Sequence, residues 1–296
     1  VNDDGPDGWN QKYVINGAQA TCYIGQATAA CSFDTAQLDQ RAYYMAEDGL
    51  FCKASQGWLP GGNLHRTPFS GRNHEYFSED ANVNYLYLDG MVRTFIDKGI
   101  SVGGKHFAGN DVELNRSNIS MFQTEQTWRQ NSLRGFESSF TKGGATSTMN
   151  CKGGIGLRNM SEDYASQVEV LRNEWGFKGV VIADAGSGRG VEGILSGTDM
   201  WCLFGSRYSG EIIDSIEQNN DGDLLDAVLT ANKRYYYAFS RSIMVNGLSS
   251  DSDIIQLTPW WQPTIIAIDC VVGAVVLGSL AGYIVCSLSK KKEEQE

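Results

Sequence analysis

Much of what would mark a nucleic-acid binder or a metalloprotein is missing from this 296-residue chain. Asp and Glu outnumber Lys and Arg by 35 to 24, the net charge is -11, and no basic stripe stands outside the last residues. Phosphate backbones recruit clusters of Lys and Arg, so nucleic acid is not an expected partner. Only three histidines are present. The seven cysteines, at positions 22, 31, 52, 151, 202, 270 and 286, form no CxxC pair and no metal-ligand spacing. Neither a structural metal nor a cofactor is therefore expected. The odd count and irregular spacing read as small, mostly buried apolar residues, with one pair among Cys22, Cys31 and Cys52 open to bridging outside a cell. An initiator Met and a signal peptide are both lacking before the turn-rich opening Asn2-Asp3-Asp4-Gly5-Pro6-Asp7-Gly8, and the expectation is that something lies upstream of Val1.

Toward the carboxyl end stands a long apolar run. From Thr264 to Leu288 there are 25 residues whose only charge is Asp269, long enough to cross a hydrocarbon core of ~30 Å. Trp260 and Trp261 stand at one end and Lys290-Lys291-Lys292 at the other, the arrangement of an aromatic interface anchor and of cytoplasmic positive charge. Residues 260–289 are expected to span a cell membrane once and to contact its lipid. The preceding chain is then extracytoplasmic and the tail 290–296 cytoplasmic. Residues 248–259 read as a linker.

What precedes the linker alternates strand and helix. The segment Glu174–Asp184, EWGFKGVVIAD, carries four apolar residues, Val180 to Ala183, without polar interruption, as in a parallel strand covered on both faces. It ends on Asp184 and a glycine-rich turn. Chemistry in parallel α/β sheets gathers at the C-terminal ends of the strands, so a carboxylate there is a candidate for catalysis, although an Asp at a turn is also an ordinary cap. Apolar periodicity predicts helices over 35–52, capped by Thr35, over 83–98, ended by Gly99, over 124–142, 161–174 and 224–243. Strands are predicted near Trp58, 100–102 and 145–149, with a short helix end and strand within 193–200. The aperiodic, charged and aromatic stretch 63–80 reads as a long loop on the active face. Such alternation implies parallel βαβ units, here wound as an α/β barrel.

Five segments in this order, DDGPDG, GGNLHRTPFSGRNHEYFSED, KHFAGNDVELNR, EWGFKGVVIAD and GTDMW, closely resemble the barrel domain of glycoside hydrolase family 3, in its β-glucosidase branch. The resemblance covers about Asp3 to Asn246. It implies a TIM-like (β/α)8 barrel over residues 1–247, lacking its first strand and helix. It also implies retaining hydrolysis of β-linked glucoside or xyloside oligosaccharides outside the cell. Asp184 matches the nucleophile, and Asp4, Arg66, Lys105 and His106 match residues that hold the hydroxyls of the adjacent sugar. A carboxylate is the anion such a reaction needs opposite an oxocarbenium-like centre.

Three departures accompany the match. Lys152 stands where the family has a Tyr beside the nucleophile, placing an ammonium near the sugar; Ala185 replaces a bulky Trp; and the domain that supplies the general acid/base in that branch does not follow the barrel. The expectation is a fragment whose acid/base domain lies upstream. The alternative is a catalytically degenerate, membrane-anchored sugar-binding or scaffold protein.

Overall fold

A computed structural model describes residues 2–9, 21–202, 205–245 and 261–293. The chain divides into two compact units, Val1–Asn246 and Gly247–Glu296. In chain order the first contains β1 (Asn2–Asp4), α1 (Gln26–Ala30), α2 (Thr35–Phe51), β2 (Gln56–Trp58), α3 (Ala81–Asp97), β3 (Lys105–Phe107), β4 (Ser120–Met121), α4 (Glu125–Thr127), α5 (Arg134–Thr141), β5 (Ser147–Asn150), β6 (Gly154–Ile155), β7 (Arg158–Asn159), β8 (Val180–Ala183), α6 (Gly190–Leu195), β9 (Met200–Trp201), α7 (Gly205–Asn219) and α8 (Gly222–Ser240). A π-helical stretch, Trp128–Leu133, joins α4 to α5, and a second, Ala165–Glu174, precedes β8.

The unit is α/β with parallel pairing. β1 pairs with β2, and β3, β5, β8 and β9 follow one another in a second run. Parallel bridges Gln56↔Ser101 and Gly61↔Lys105 join the runs. Of the eight strands expected of a closed cylinder, six are thus connected among the described residues. All four residues of β8 are buried, as its unbroken apolar run requires. β4, β6 and β7 form a separate small sheet, which the sequence analysis did not anticipate.

Local chemistry explains where elements begin. Asp34, extended at φ -123°, rather than Thr35, caps α2 by accepting from Ala36 N at 2.9 Å. Asp80 caps α3 in the same way. Gly99 ends α3 at φ +78°. The strand expected at 100–102 reduces to the single bridge at Ser101, because at Gly103 the chain passes so close to β5 that a Cβ would lie 1.7 Å from Ser147 O; the ladder resumes at Lys105. The helix expected from 161 begins at Ala165. α7 was missed because its inward stripe is thin, with Tyr208 and Ile212 its only buried side chains. Cys22 and Cys31 are exposed free thiols, so no bridge joins any two of Cys22, Cys31 and Cys52.

Phe95, Phe107, Leu133, Phe136 and Val181 belong to the main core, between the parallel strands and α2, α3 and α5. A smaller cluster, Ile194, Ile212, Leu224 and Ala231, ties α6 to α7 and α8. In the second unit, α9 (Trp261–Glu293) includes an apolar stretch of 25 residues, Trp261–Val285, within which an 18-residue window has a mean hydropathy of 2.2. The expected linker 248–259 and Trp260 lie outside the described residues.

The side chain of Asp199, at the foot of β9, is buried, and both its oxygens are held. Oδ2 accepts from Arg172 Nη2 at 2.6 Å and from Val181 N at 2.8 Å, and Oδ1 from Arg234 Nη1 at 2.8 Å. Burial pushes Arg172 down to about 10, against the pull of Asp199. Asp199→Ala leaves that guanidinium buried without its carboxylate, and equilibrium urea unfolding is expected to show a loss of about 3 to 5 kcal/mol.

Candidate active site

The C-terminal ends of the parallel strands and the loops after them collect charge of both signs. β8 delivers Asp184. The turn that follows needs Gly186 at φ +73°, and it folds back through Ser187 N donating to Asp184 O at 3.0 Å. Within it Ala185 N donates to Asp184 Oδ1 at 2.7 Å. Arg116 Nη1 stands 3.1 Å from Asp184 Oδ2, in an ion contact whose alignment falls short of a hydrogen bond, so Oδ2 is buried and accepts none. The same guanidinium meets Glu113 through Nε at 3.1 Å.

β3 carries Lys105 and His106, both buried. Asn63 clamps the His106 backbone on both sides, accepting from its N–H at 2.8 Å and donating to its carbonyl at 3.0 Å. Arg72 Nη1 lies 3.2 Å from His106 Nε2. A guanidinium only donates, so Nε2 is the acceptor and the proton rests on Nδ1, which faces Tyr76 Oη at 3.3 Å. Burial, then the charges of Lys105, Arg72, Arg116 and Lys152, drive the imidazole pKa well below its usual value. It is a neutral ring.

Glu75 answers those cations. It accepts from Arg72 Nε and Nη2 at 2.9 and 2.6 Å and stands 3.4 Å from Lys105 Nζ. Burial pushes its carboxyl up, but Lys105, Arg72 and His74 outweigh burial and hold it below the ordinary range. Its position depends on Gly61, where a Cβ would lie 2.1 Å from Glu75 O.

Asp184, Lys105, His106 and Lys152 therefore share one electrostatic neighbourhood. Arg66 goes elsewhere: its side chain is 49% exposed and meets Asp111 Oδ2 at 3.8 Å, and it is Arg72 that reaches His106. Asp4 ends β1 opposite Trp58, and its side chain lies outside the described residues. The site residues that sequence reasoning passed over are Arg72, Glu75, Asp111, Glu113 and Arg116. Four of them form Arg72-x-x-Glu75 and Glu113-x-x-Arg116, opposite charges three residues apart, a signal available in the sequence.

A buried carboxylate at the end of a parallel strand, with a guanidinium at 3.1 Å and a buried neutral imidazole on β3, is the kind of arrangement that α/β enzymes use for chemistry. The sequence profile described as Glycosyl hydrolase family 3 N terminal domain matches residues 16–200, more than half of the chain, and the chain belongs to that family. Among its relatives are thermostable β-glucosidase B of Acetivibrio thermocellus, 29% identical over 208 residues, and β-glucosidase A of Butyrivibrio fibrisolvens, 29% identical over 219. These alignments take in 67% and 73% of the chain but 27% and 26% of the relatives, so it spans about a quarter of their length. The solved β-glucosidase 3B of Thermotoga neapolitana in complex with glucose superposes with a TM-score of 0.75 at 24% identity, covering 81% of this chain and 35% of that one. The β-glucosidase of Bifidobacterium adolescentis gives 0.76 at 23%, covering 86% and 37%.

Burial raises Asp111 from 3.8 to about 6, against the opposing pull of Leu64 N and Arg66. The folded protein thus keeps this proton over a range in which the unfolded chain has lost it. The stability gained is complete below about pH 4 and is lost as pH rises through about 6. Urea unfolding at about pH 4 and about pH 7 is expected to show Asp111→Asn gaining on the parent at the higher pH by on the order of 2 kcal/mol.

Proposed function

We propose that this chain is the nucleophile-bearing barrel part of a retaining β-glucoside hydrolase. The observation that carries the reading is the setting of Asp184: one oxygen fixed by Ala185 N, the other free of hydrogen bonds, and Arg116 alongside. Oδ2 attacks the anomeric carbon. The bond to the leaving oxygen breaks with its electron pair on that oxygen, which takes a proton from a general acid, and a glycosyl ester on Asp184 remains. Water then attacks the anomeric carbon, gives its proton to the conjugate base of that acid, and releases the sugar and the carboxylate. In this reading the acid belongs to a further segment, as in the β-glucosidase branch.

Lys105 and Arg72 hold the hydroxyls of the sugar beside Asp184, with Asp4 and Lys152 at its edge, and His106 joins them where a hydroxyl displaces Arg72 or Tyr76 from its ring. Donors on both cations and an imidazole of defined tautomer suit vicinal hydroxyls, which accept and donate. Glu75 positions Arg72 and Lys105 without touching sugar. The strands form part of a (β/α)8 barrel. The substrates are β-linked gluco- or xylo-oligosaccharides, met outside the cell by a barrel that α9 anchors.

A second reading, a sugar binder without turnover, is favoured by Ala185, which leaves one wall of the pocket low, and by Lys152, an ammonium in the place of a phenol.

A 2,4-dinitrophenyl 2-deoxy-2-fluoro-β-glucoside separates the two, because its phenolate departs without an acid and the fluorine slows hydrolysis of the ester. The enzyme gains the mass of one fluoroglucosyl group on the peptide holding Asp184, and Asp184→Asn gains none. Reversible glucose binding without that label establishes the binder. For the anchor, membranes from cells expressing the chain are washed in alkaline carbonate: a spanning α9 keeps the protein in the pellet, and release into the supernatant refutes the span.

A further inference from the structure

Lys152 reaches the strand ends beside Asp184. β5 and β8 run parallel with Met149 opposite Ile182, so Lys152 and Asp184 leave the ends of adjacent strands. One amide ties their two turns together: Asn159 Nδ2 donates to Lys152 O at 2.8 Å, and Asn159 Oδ1 accepts from Ser187 Oγ at 2.9 Å. Ser187 N in turn donates to Asp184 O at 3.0 Å. On its other side the Lys152 turn lies against the loop that carries Arg116, since a Cβ on Gly153 would stand 3.4 Å from Ile119 O and 3.5 Å from Arg116 O.

The ion pairs set Lys152 apart from the other cations. Burial first, and then the charges of Lys105, Arg72, Arg116 and Lys152, keep the His106 ring neutral, so all four charges act on one place. Three of them have carboxylates: Glu75 stands against both Arg72 and Lys105, and Glu113 and Asp184 stand against Arg116. Among the described residues no carboxylate pairs with Lys152, which is half-buried. Asp184 does not serve, because its Oδ1 takes Ala185 N and its Oδ2 faces Arg116. An ammonium drawn partly out of water among like charges is favourable only when an anion reaches it. The hydroxyls of a neutral sugar bring no charge. A carboxylate or sulfate on the ring brings a full one, and a compact ammonium with three donors takes either. Ala185 presents only a methyl group beside the nucleophile, which leaves room for such a substituent.

We infer that Lys152 selects β-linked, gluco-configured substrates whose ring at Asp184 carries an anionic group, a uronic acid carboxylate or a sulfate ester. This rests on the glycosidase reading of Asp184 and names the class of sugar that it takes.

Calorimetric titration of the full chain with methyl β-glucoside, methyl β-glucuronide and methyl β-glucoside 6-sulfate tests it. At least one anionic probe is expected to bind about tenfold or more above methyl β-glucoside, the scale of a charge-assisted hydrogen bond, and the tighter of the two identifies the group as carboxylate or sulfate. Lys152→Met is expected to bring that ratio to within about twofold of unity, whereas Lys152→Arg, which keeps the charge, retains at least about threefold. In the parent, raising salt from about 20 to about 500 mM is expected to shrink the ratio as well. A parent that binds methyl β-glucoside as tightly as both anionic probes overturns the inference and leaves the reading of Asp184 intact. A preference that survives in Lys152→Met overturns it too, because another cation then reads the anion. If the preference follows Lys152 but the fluoroglucoside never labels Asp184, the anionic-sugar site stands and the catalytic reading falls. Binding of none of the three probes overturns the inference, and labelling of Asp184 then decides the catalytic reading alone.

Discussion

Charge compensation at the strand ends is the constraint under which the rest of the site is assembled. Lys105 and His106 arrive buried on β3, Arg72 presses on the ring, and Arg116 and Lys152 add to the field. Such a concentration of positive charge is stable only with carboxylates among it: Glu75 between Arg72 and Lys105, Glu113 on Arg116, and Asp184 facing Arg116. The same arrangement makes chemistry available. Against the effect of burial, Lys105 and Arg72 hold the Glu75 carboxyl below its ordinary range, and burial and the surrounding cations keep the His106 ring neutral, so the strand ends present an anion and defined hydrogen-bonding groups together.

Backbone geometry permits this density. Gly61 admits the Glu75 carbonyl where a Cβ would clash, and Gly103 lets the chain before β3 lie against Ser147 of β5. Asn63 then grips the His106 peptide from both sides. The loop 63–80, which has no periodicity of its own, is organised by these contacts with β3. It brings Arg72 and Tyr76 to the His106 ring, Glu75 to Lys105 and Arg66 to Asp111.

Several features were legible before any coordinates. The buried strand of Val180 to Ala183 and the carboxylate at its end follow from an unbroken apolar run, and the helices at 35, 81 and 222 from their apolar faces. Thr35 was read as a cap because its type allows it, but the extended backbone at Asp34 makes Asp34 the residue whose side chain reaches the first free N–H groups. α7 escaped notice because two buried side chains do not make a period. The Tyr76–His106–Arg72 contacts were invisible because they join residues 30 and 34 positions apart.

By itself, the sequence determined the acidic composition, the membrane-length apolar helix, the parallel strand that ends on Asp184 and the run of family motifs, because each is written in neighbouring residues or in the order of short segments. Only the tertiary structure decided that Arg72 rather than Arg66 meets His106, that Arg116 stands against Asp184, and that Glu75 lies between Arg72 and Lys105. Those outcomes depend on where aperiodic loops are pinned by distant strands, and no local pattern encodes the path between pins.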